Sequence, residues 1–277
     1  MTDAIPHLTL NDGRHLPQIG FGTWPLDDAQ AQTAVQAALA CGYRLIDTAA
    51  RYGNEAGVGR GIAASGVARS QVQLTSKLRG SEHGFDSTLR AFDATLAALG
   101  TDYLDLYLIH WPLPMRDLYV DTWRAFIRLR EEGRIRSIGV SNFQPAHIDR
   151  LLSETGVLPA VNQIELHPDF TQAALRAWHA RQGIVIECWS PLGRGEVLKD
   201  ATVARIAQKH GRSPAQILLR WHVQHGLVAI PKSQDPQRMR QNLAVFDFAL
   251  DAEDLAALAL LDGDHRQGGD PDTNDER

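Results

Sequence analysis

The chain has 277 residues, enough for one large α/β domain or two small ones, with 44% hydrophobic and 22% charged residues. A net charge of −5 offers nothing to draw a nucleic acid or an anionic membrane. The two cysteines, Cys41 and Cys188, form no CxxC pair, which argues against a disulfide framework or a metal site and fits a reducing, cytoplasmic compartment. No basic region with a long apolar run opens the chain, and no uncharged apolar run nears the roughly 18 residues of a membrane span. A soluble protein without signal peptide or membrane anchor is expected.

In chain order, residues 7–17 (HLTL, the Asn11-Asp12-Gly13 turn, RHLP) read as a small hairpin able to plug the bottom of a barrel. Short apolar runs then recur near 18–22, 44–47, 72–76, 104–109, 136–140, 160–164, 184–188 and 227–230. None alternates strictly, so strands buried on both faces fit best. Helical periodicity fills intervals such as 29–41, 86–99, 118–132 and 171–182, and two helices, 201–210 and 214–225, separate the last two strands. Gly42, Gly100, Gly133, Gly183 and Gly226 each follow a helical stretch, where a left-handed residue ends a helix. Ser213-Pro214-Ala215-Gln216 reads as a capping box. Eight strands alternating with helices predict a single (β/α)8 TIM barrel with an N-terminal β-hairpin. An open doubly wound sheet is the alternative. The polar segment after residue 262 has no core pattern and is expected to lie over the surface or be partly disordered. No linker or repeat divides 1–277, so one domain with its core at about 7–262 is expected.

Barrel active sites gather at the carboxyl ends of the strands. At those ends stand Asp47, Lys77, His110, Ser141-Asn142, Asn162-Gln163, Trp189-Ser190 and Lys232-Ser233, so seven of eight strands deliver polar or ionisable groups to one rim. Asp47, Lys77 and His110 alone could be a buried ion pair beside a hydrogen-bonded histidine. Tyr52, five residues after Asp47, adds an acid-base group whose phenolate needs support. Lowering a phenol by about two to three units takes roughly 3–4 kcal/mol, at about 1.36 kcal/mol per unit. One close, partly desolvated ammonium supplies that.

The pieces GFGTW (20–24), YRLIDTAARYGNEAGVG (43–59), TSKL (75–78), DLYLIHWP (105–112), SIGVSNF (137–143), VNQIELHP (161–168), WSPLGRG (189–195) and IPKS (230–233), with Arg238 and Asn242, resemble the aldo-keto reductases from about residue 7 to 262. The likeness is strongest to the bacterial branch of 2,5-diketo-gluconate and methylglyoxal reductases. The resemblance implies NADPH-dependent reduction of aldehydes or ketones. Tyr52 would be the proton donor, Lys77 would depress its pKa, Asp47 would pair with Lys77, and His110 would orient the carbonyl.

It further implies that Ser141, Asn142 and Gln163 hold the nicotinamide carboxamide while Trp189, often tyrosine in the family, stacks on the ring. Ser190, Leu192 and Gly193 would wrap the pyrophosphate of NADPH/NADP. Lys232, Ser233 and Arg238 would hold the adenosine 2′-phosphate, and Gln241 and Asn242 would approach the adenine; relatives often have glutamate where Gln241 stands. GVGRGI (57–62) fails the GxGxxG pattern and reads as helix packing.

Trp24 and Trp111 are expected to wall the substrate pocket. Arg79 stands where many relatives have tryptophan, and Arg79 and His83 read either as contacts to an acidic or hydroxylated substrate or as solvated loop charges. Small aldehydes, α-dicarbonyls and keto-sugars are the expected substrates of a monomer with no metal. A nucleotide-binding regulatory subunit of the same fold and a Schiff-base isomerase or aldolase using Lys77 are the competing readings.

Overall fold

The computed structural model describes residues 5–276. A hairpin, β1 (His7–Thr9) and β2 (His15–Pro17), precedes eight parallel strands: β3 (Phe21–Gly22), β4 (Leu45–Asp47), β5 (Gln73–Leu78), β6 (Leu104–Ile109), β7 (Ile135–Ser141), β8 (Val161–Glu165), β9 (Val185–Trp189) and β10 (Val228–Ala229). They lie in sequence order. The first and last meet where Gly20 N donates to Ala229 O at 2.9 Å, Ala229 N to Gln18 O at 3.0 Å and Gly22 N to Pro231 O at 3.1 Å. The sheet therefore closes, and the open-sheet alternative falls.

The helices are α1 (Asp28–Cys41), α2 (Glu55–Ala64), α3 (Phe85–Leu99), α4 (Tyr119–Glu131), α5 (Pro145–Thr155), α6 (Ala173–Gln182), α7 (Ala201–His210), α8 (Pro214–Gln224), α9 (Pro236–Leu243) and α10 (Ala252–Ala259). The five glycines read as helix ends all have positive φ, from 64° to 110°. Ser213 and Gln216 form the expected capping box at α8.

Strand side chains alternate between the helix layer and the barrel interior. Outward residues such as Ile46, Leu74, Tyr107 and Ile138 join the helices in a large buried cluster. Inward residues Leu45, Leu106, Leu108, Val161, Val228 and Ile230 form a second one, completed by Leu10 and Leu16 of the hairpin, which plugs that end. Removing a side chain such as Leu108 from this interior would cost about 2–5 kcal/mol. Further along each strand the inward positions turn polar, and that change of lining separates the packed end of the barrel from its chemical end.

Glycine is required where strands crowd: a Cβ on Gly22 would lie 2.9 Å from Ile230 Cγ2. In α2, a Cβ on Gly57 would meet Asp28 O at 1.9 Å and one on Gly59 would meet Leu99 O at 2.2 Å. The GVGRGI segment is therefore a helix-packing surface.

Candidate active site

Lys77, wholly buried on β5, donates from Nζ to Asp47 Oδ1 at 2.6 Å, to Thr48 O at 3.0 Å and to the Tyr52 hydroxyl at 3.2 Å. Asp47 ends β4, and Tyr52 lies in the short 3₁₀ turn (Ala50–Tyr52) between that strand and α2. His110 follows β6, its ring 5.8 Å from that of Tyr52. Four residues from three strand ends thus meet at one mouth of the barrel.

Burial alone would lower the Lys77 pKa, but the Asp47 carboxylate and then Tyr52 outweigh it, and the ammonium is held charged. Burial pushes the Tyr52 phenol up, Lys77 pulls it down, and the Asp47 and Glu276 carboxylates push it up again; the balance lies above the ordinary tyrosine value. The expected net depression is therefore corrected. Lys77 does lower the phenol, but desolvation and two carboxylates exceed it. Burial also depresses His110, against the pull of Glu276, so its imidazole is neutral at pH 7.

Around this cluster, Gln163 Nε2 donates to Asp47 Oδ2 at 2.8 Å and to Glu187 Oε2 at 2.6 Å. Ser141 Oγ donates to Gln163 O at 2.8 Å. Asn142, at φ 63°, donates to His110 O at 3.0 Å and accepts the Trp189 indole N–H at 2.9 Å. Trp24 is 57% exposed with its ring 5.1 Å from Tyr52, and Trp111 lies 6.5 Å from His110. Both tryptophans flank the Asp47, Tyr52, Lys77 and His110 cluster.

Ser190 and Gly193 have φ of 50° and 53°, and a Cβ on Gly193 would lie 2.5 Å from Val197 Cγ2. Leu192 between them is half-buried. After β10, Lys232 is exposed, Ser233 Oγ accepts from Asp235 N at 3.1 Å, and Arg238 is 77% exposed with Asp235 3.7 Å away. Gln241 is exposed, whereas Asn242 is buried near Tyr43, whose hydroxyl donates to Met239 O at 3.2 Å.

Sequence reasoning missed two residues, Glu187 and Glu276, and left His83 open between two readings. Glu187 shares the inward face of β9 with Trp189, a parity that could have flagged it. His83, read as a substrate contact or a solvated loop charge, is buried with neither ring nitrogen hydrogen-bonded among the described residues, and burial pushes its pKa down to about 4. Glu276 could not have been found from pattern. The tail does lie over the barrel, but it is pinned rather than loose: Asp262 accepts from Thr171 N at 3.1 Å, and Glu165 accepts from Gln267 N at 2.7 Å and Gly268 N at 2.8 Å. Its end turns into the mouth. There Glu276 Oε1 sits 2.7 Å from His110 Nδ1, Oε2 accepts from Gly80 N, and its carbonyl accepts from Arg51 at 2.5 Å.

Residues 18–262 match the family model for the aldo/keto reductase family. The chain belongs to this family. Among curated aldo-keto reductases, a protein of that name from Mycobacterium sp. (strain JLS) is 56% identical, with 98% of each chain covered. Methylglyoxal reductase DkgA of Yersinia pestis is 47% identical, with 96% of each covered. Among solved structures, a mutant of Gox0644 in complex with NADPH superposes with a TM-score of 0.95 at 47% identity, covering 98% of this chain and 99% of the other. An aldo/keto reductase from Brucella melitensis gives 0.90 at 54%, covering 93% and 100%. Among the described residues of this aldo/keto reductase, no helix is long and apolar enough to cross a membrane and no group of side chains has metal-ligand spacing.

Proposed function

We propose that this chain is an NADPH-dependent carbonyl reductase that converts small aldehydes, α-dicarbonyls or keto-sugars to alcohols within one barrel domain, as a monomer in the cytoplasm. One observation carries the reading: a buried ammonium touches both a carboxylate and a phenol, with a neutral imidazole facing the phenol. The NADPH-bound neighbour and the methylglyoxal reductase relative support it.

The residues present fit the cofactor. Gln163 commits both amide hydrogens to carboxyl groups and keeps its oxygen for a donor, and Trp189 offers a partly exposed indole at the rim. Exposed Lys232 and Arg238 suit a phosphate dianion beside Ser233. Ser141, Asn142 and Gln163 would hold the nicotinamide carboxamide, Ser190, Leu192 and Gly193 the pyrophosphate, and Gln241 the adenine edge. Asn242 would act through the Tyr43 contact at the base of α9. When bound, the cofactor supplies the hydride to the carbonyl carbon.

The chain's own part is to hold and move one proton. His110 directs an N–H at the carbonyl oxygen and fixes its position. Tyr52, protonated across the neutral range, gives its proton to that oxygen as the C=O π pair moves onto it. The phenolate left behind faces the Lys77 ammonium at hydrogen-bond distance, and Asp47 keeps that ammonium charged and in place. Trp24 and Trp111 wall the carbonyl's approach.

A Schiff-base role for Lys77 would need a neutral amine, and three oxygen acceptors hold it as ammonium. The test is oxidation of NADPH with a panel of aldehydes, α-dicarbonyls and keto-sugars, ranked by kcat/KM, for the wild type and Tyr52→Phe. Loss of about 10²–10⁴ in turnover with NADPH affinity kept is expected of the variant. Wild-type rates in Tyr52→Phe would remove the proton-donor assignment.

A further inference from the structure

Glu187 stands directly opposite Gln163 in the β8–β9 ladder, and both side chains point into the barrel on the face that carries Trp189 two residues on. The Gln163 nitrogen has two hydrogens, and both are engaged, one by Asp47 Oδ2 at 2.8 Å and the other by Glu187 Oε2 at 2.6 Å. A flipped amide would aim its oxygen at two carboxyl groups. Together the carboxyls leave one orientation, with the Gln163 oxygen turned away from them. Asp47 could not do this alone with the same force, because its other oxygen already holds Lys77.

Stability gives no reason for an acid at position 187. The side chain is fully buried, and its Oε1 has no hydrogen-bond partner among the described residues. Such a half-satisfied buried acid costs free energy that a well-packed apolar side chain would not. Among the described residues its side chain bonds only to the amide of Gln163, which lies between it and Asp47.

We propose that Glu187 is a positioning residue: with Asp47 it clamps the Gln163 amide so that the Gln163 oxygen is presented to the carboxamide N–H of nicotinamide. The inference rests on the carbonyl-reductase reading above and extends it to a residue beyond the Asp47, Tyr52, Lys77 and His110 set. Burial, followed by the Asp47 charge, pushes the Glu187 carboxyl up, while Gln163 opposes the rise. Its Oε2 accepts the Gln163 hydrogen while Lys77 stays on Asp47.

The test is equilibrium binding by tryptophan fluorescence, with NADPH and with adenosine 2′,5′-bisphosphate, which carries the adenosine half but no nicotinamide. In Glu187→Met, the NADPH Kd should rise about five- to ten-fold, the size of one lost hydrogen bond, with the bisphosphate Kd unchanged. Glu187→Gln keeps an acceptor at Oε1 and should bind NADPH within about two-fold of wild type. The Tm of Glu187→Met should move by only a few degrees, since removing the orphan Oε1 is set against leaving one Gln163 N–H unpaired. If Glu187→Met does not fold, Glu187→Ala carries the same comparison.

Equal weakening of both ligands would reduce Glu187 to a structural residue and overturn the clamp. So would unchanged NADPH binding in Glu187→Met alongside a loss in Gln163→Ala. If Gln163→Ala itself leaves NADPH binding untouched while activity persists, the Gln163–nicotinamide contact is wrong and the clamp falls with it. No NADPH binding by the wild type would instead sink the carbonyl-reductase reading.

Discussion

Replacing Glu276 by alanine should make the enzyme take up its carbonyl substrate more tightly. The carboxylate lies 2.7 Å from His110, the residue assigned to the carbonyl oxygen, and its side chain is only 3% exposed. Its grip comes from the Gly80 N–H and the His110 contact, and a hydrogen bond to a charged group contributes about 1.5–3 kcal/mol. Burial raises the Glu276 pKa, but His110, Gly80 and Arg51 more than offset it, so the net value is below the usual glutamate range. The sign follows: the grip is present above the unfolded value near 4.5 and is lost only as pH falls through the lowered folded one. At pH 7 a substrate must displace it, and losing about 1.5–3 kcal/mol from the closed arrangement corresponds to roughly ten- to hundred-fold in occupancy. In Glu276→Ala, KM for a small aldehyde at saturating NADPH should fall by about ten-fold or more with kcat little changed, and the Gly80 amide should exchange hydrogen faster. An unaltered or higher KM with unchanged Gly80 exchange would refute the competition.

Lys232→Gly should weaken NADPH far more than NADH, measured as the two Kd values; equal losses would contradict the 2′-phosphate assignment. Glu55 is buried against Ser76 and Thr95 with its pKa raised by burial to about 7, so its stabilising contribution is full below about 4.5 and lost as pH rises through 7. That is worth at most about 3 kcal/mol, and urea unfolding of Glu55→Gln between pH 4.5 and 8 should show a correspondingly flatter dependence than wild type. Gly57→Ala should destabilise by about 1–3 kcal/mol in the same assay, because the new methyl meets the Asp28 carbonyl. An unchanged midpoint would mean that α1 and α2 can separate at low cost.

The barrel and the end that gathers Asp47, Tyr52, Lys77 and His110 were legible because the strands are short and apolar and seven of the eight are followed by a polar residue at one rim. Local chemistry announced the helix ends: glycine after Leu99 and Gln182, and the Ser213 box. Long-range electrostatics were not legible. That Lys77 supports Tyr52 follows from residue types, whereas the net rise of the phenol depends mainly on burial, then on Asp47 and least on Glu276, which is 224 positions away and joins the site only through the tail's path. The tail itself has no apolar period. It is ordered by backbone N–H groups meeting Glu165 and Asp262, contacts that composition does not encode. Glu187 was hidden for a simpler reason, since within VIECW an acid two residues before the rim reads as one polar interruption of a buried strand.

The wall that carries Asp47, Tyr52 and Lys77 faces the wall that carries Gln163 and Glu187 across a closed ring, and the two are joined from Glu187 through Gln163 and Asp47 to Lys77 and Tyr52. A loosening of any wall, including the seam where Gly20 meets Ala229, would pull this cross-tie apart. Catalysis should therefore vanish together with the cooperative loss of the fold in a denaturant titration, making turnover a sensitive gauge of ring integrity in variants whose substitutions lie far from the mouth.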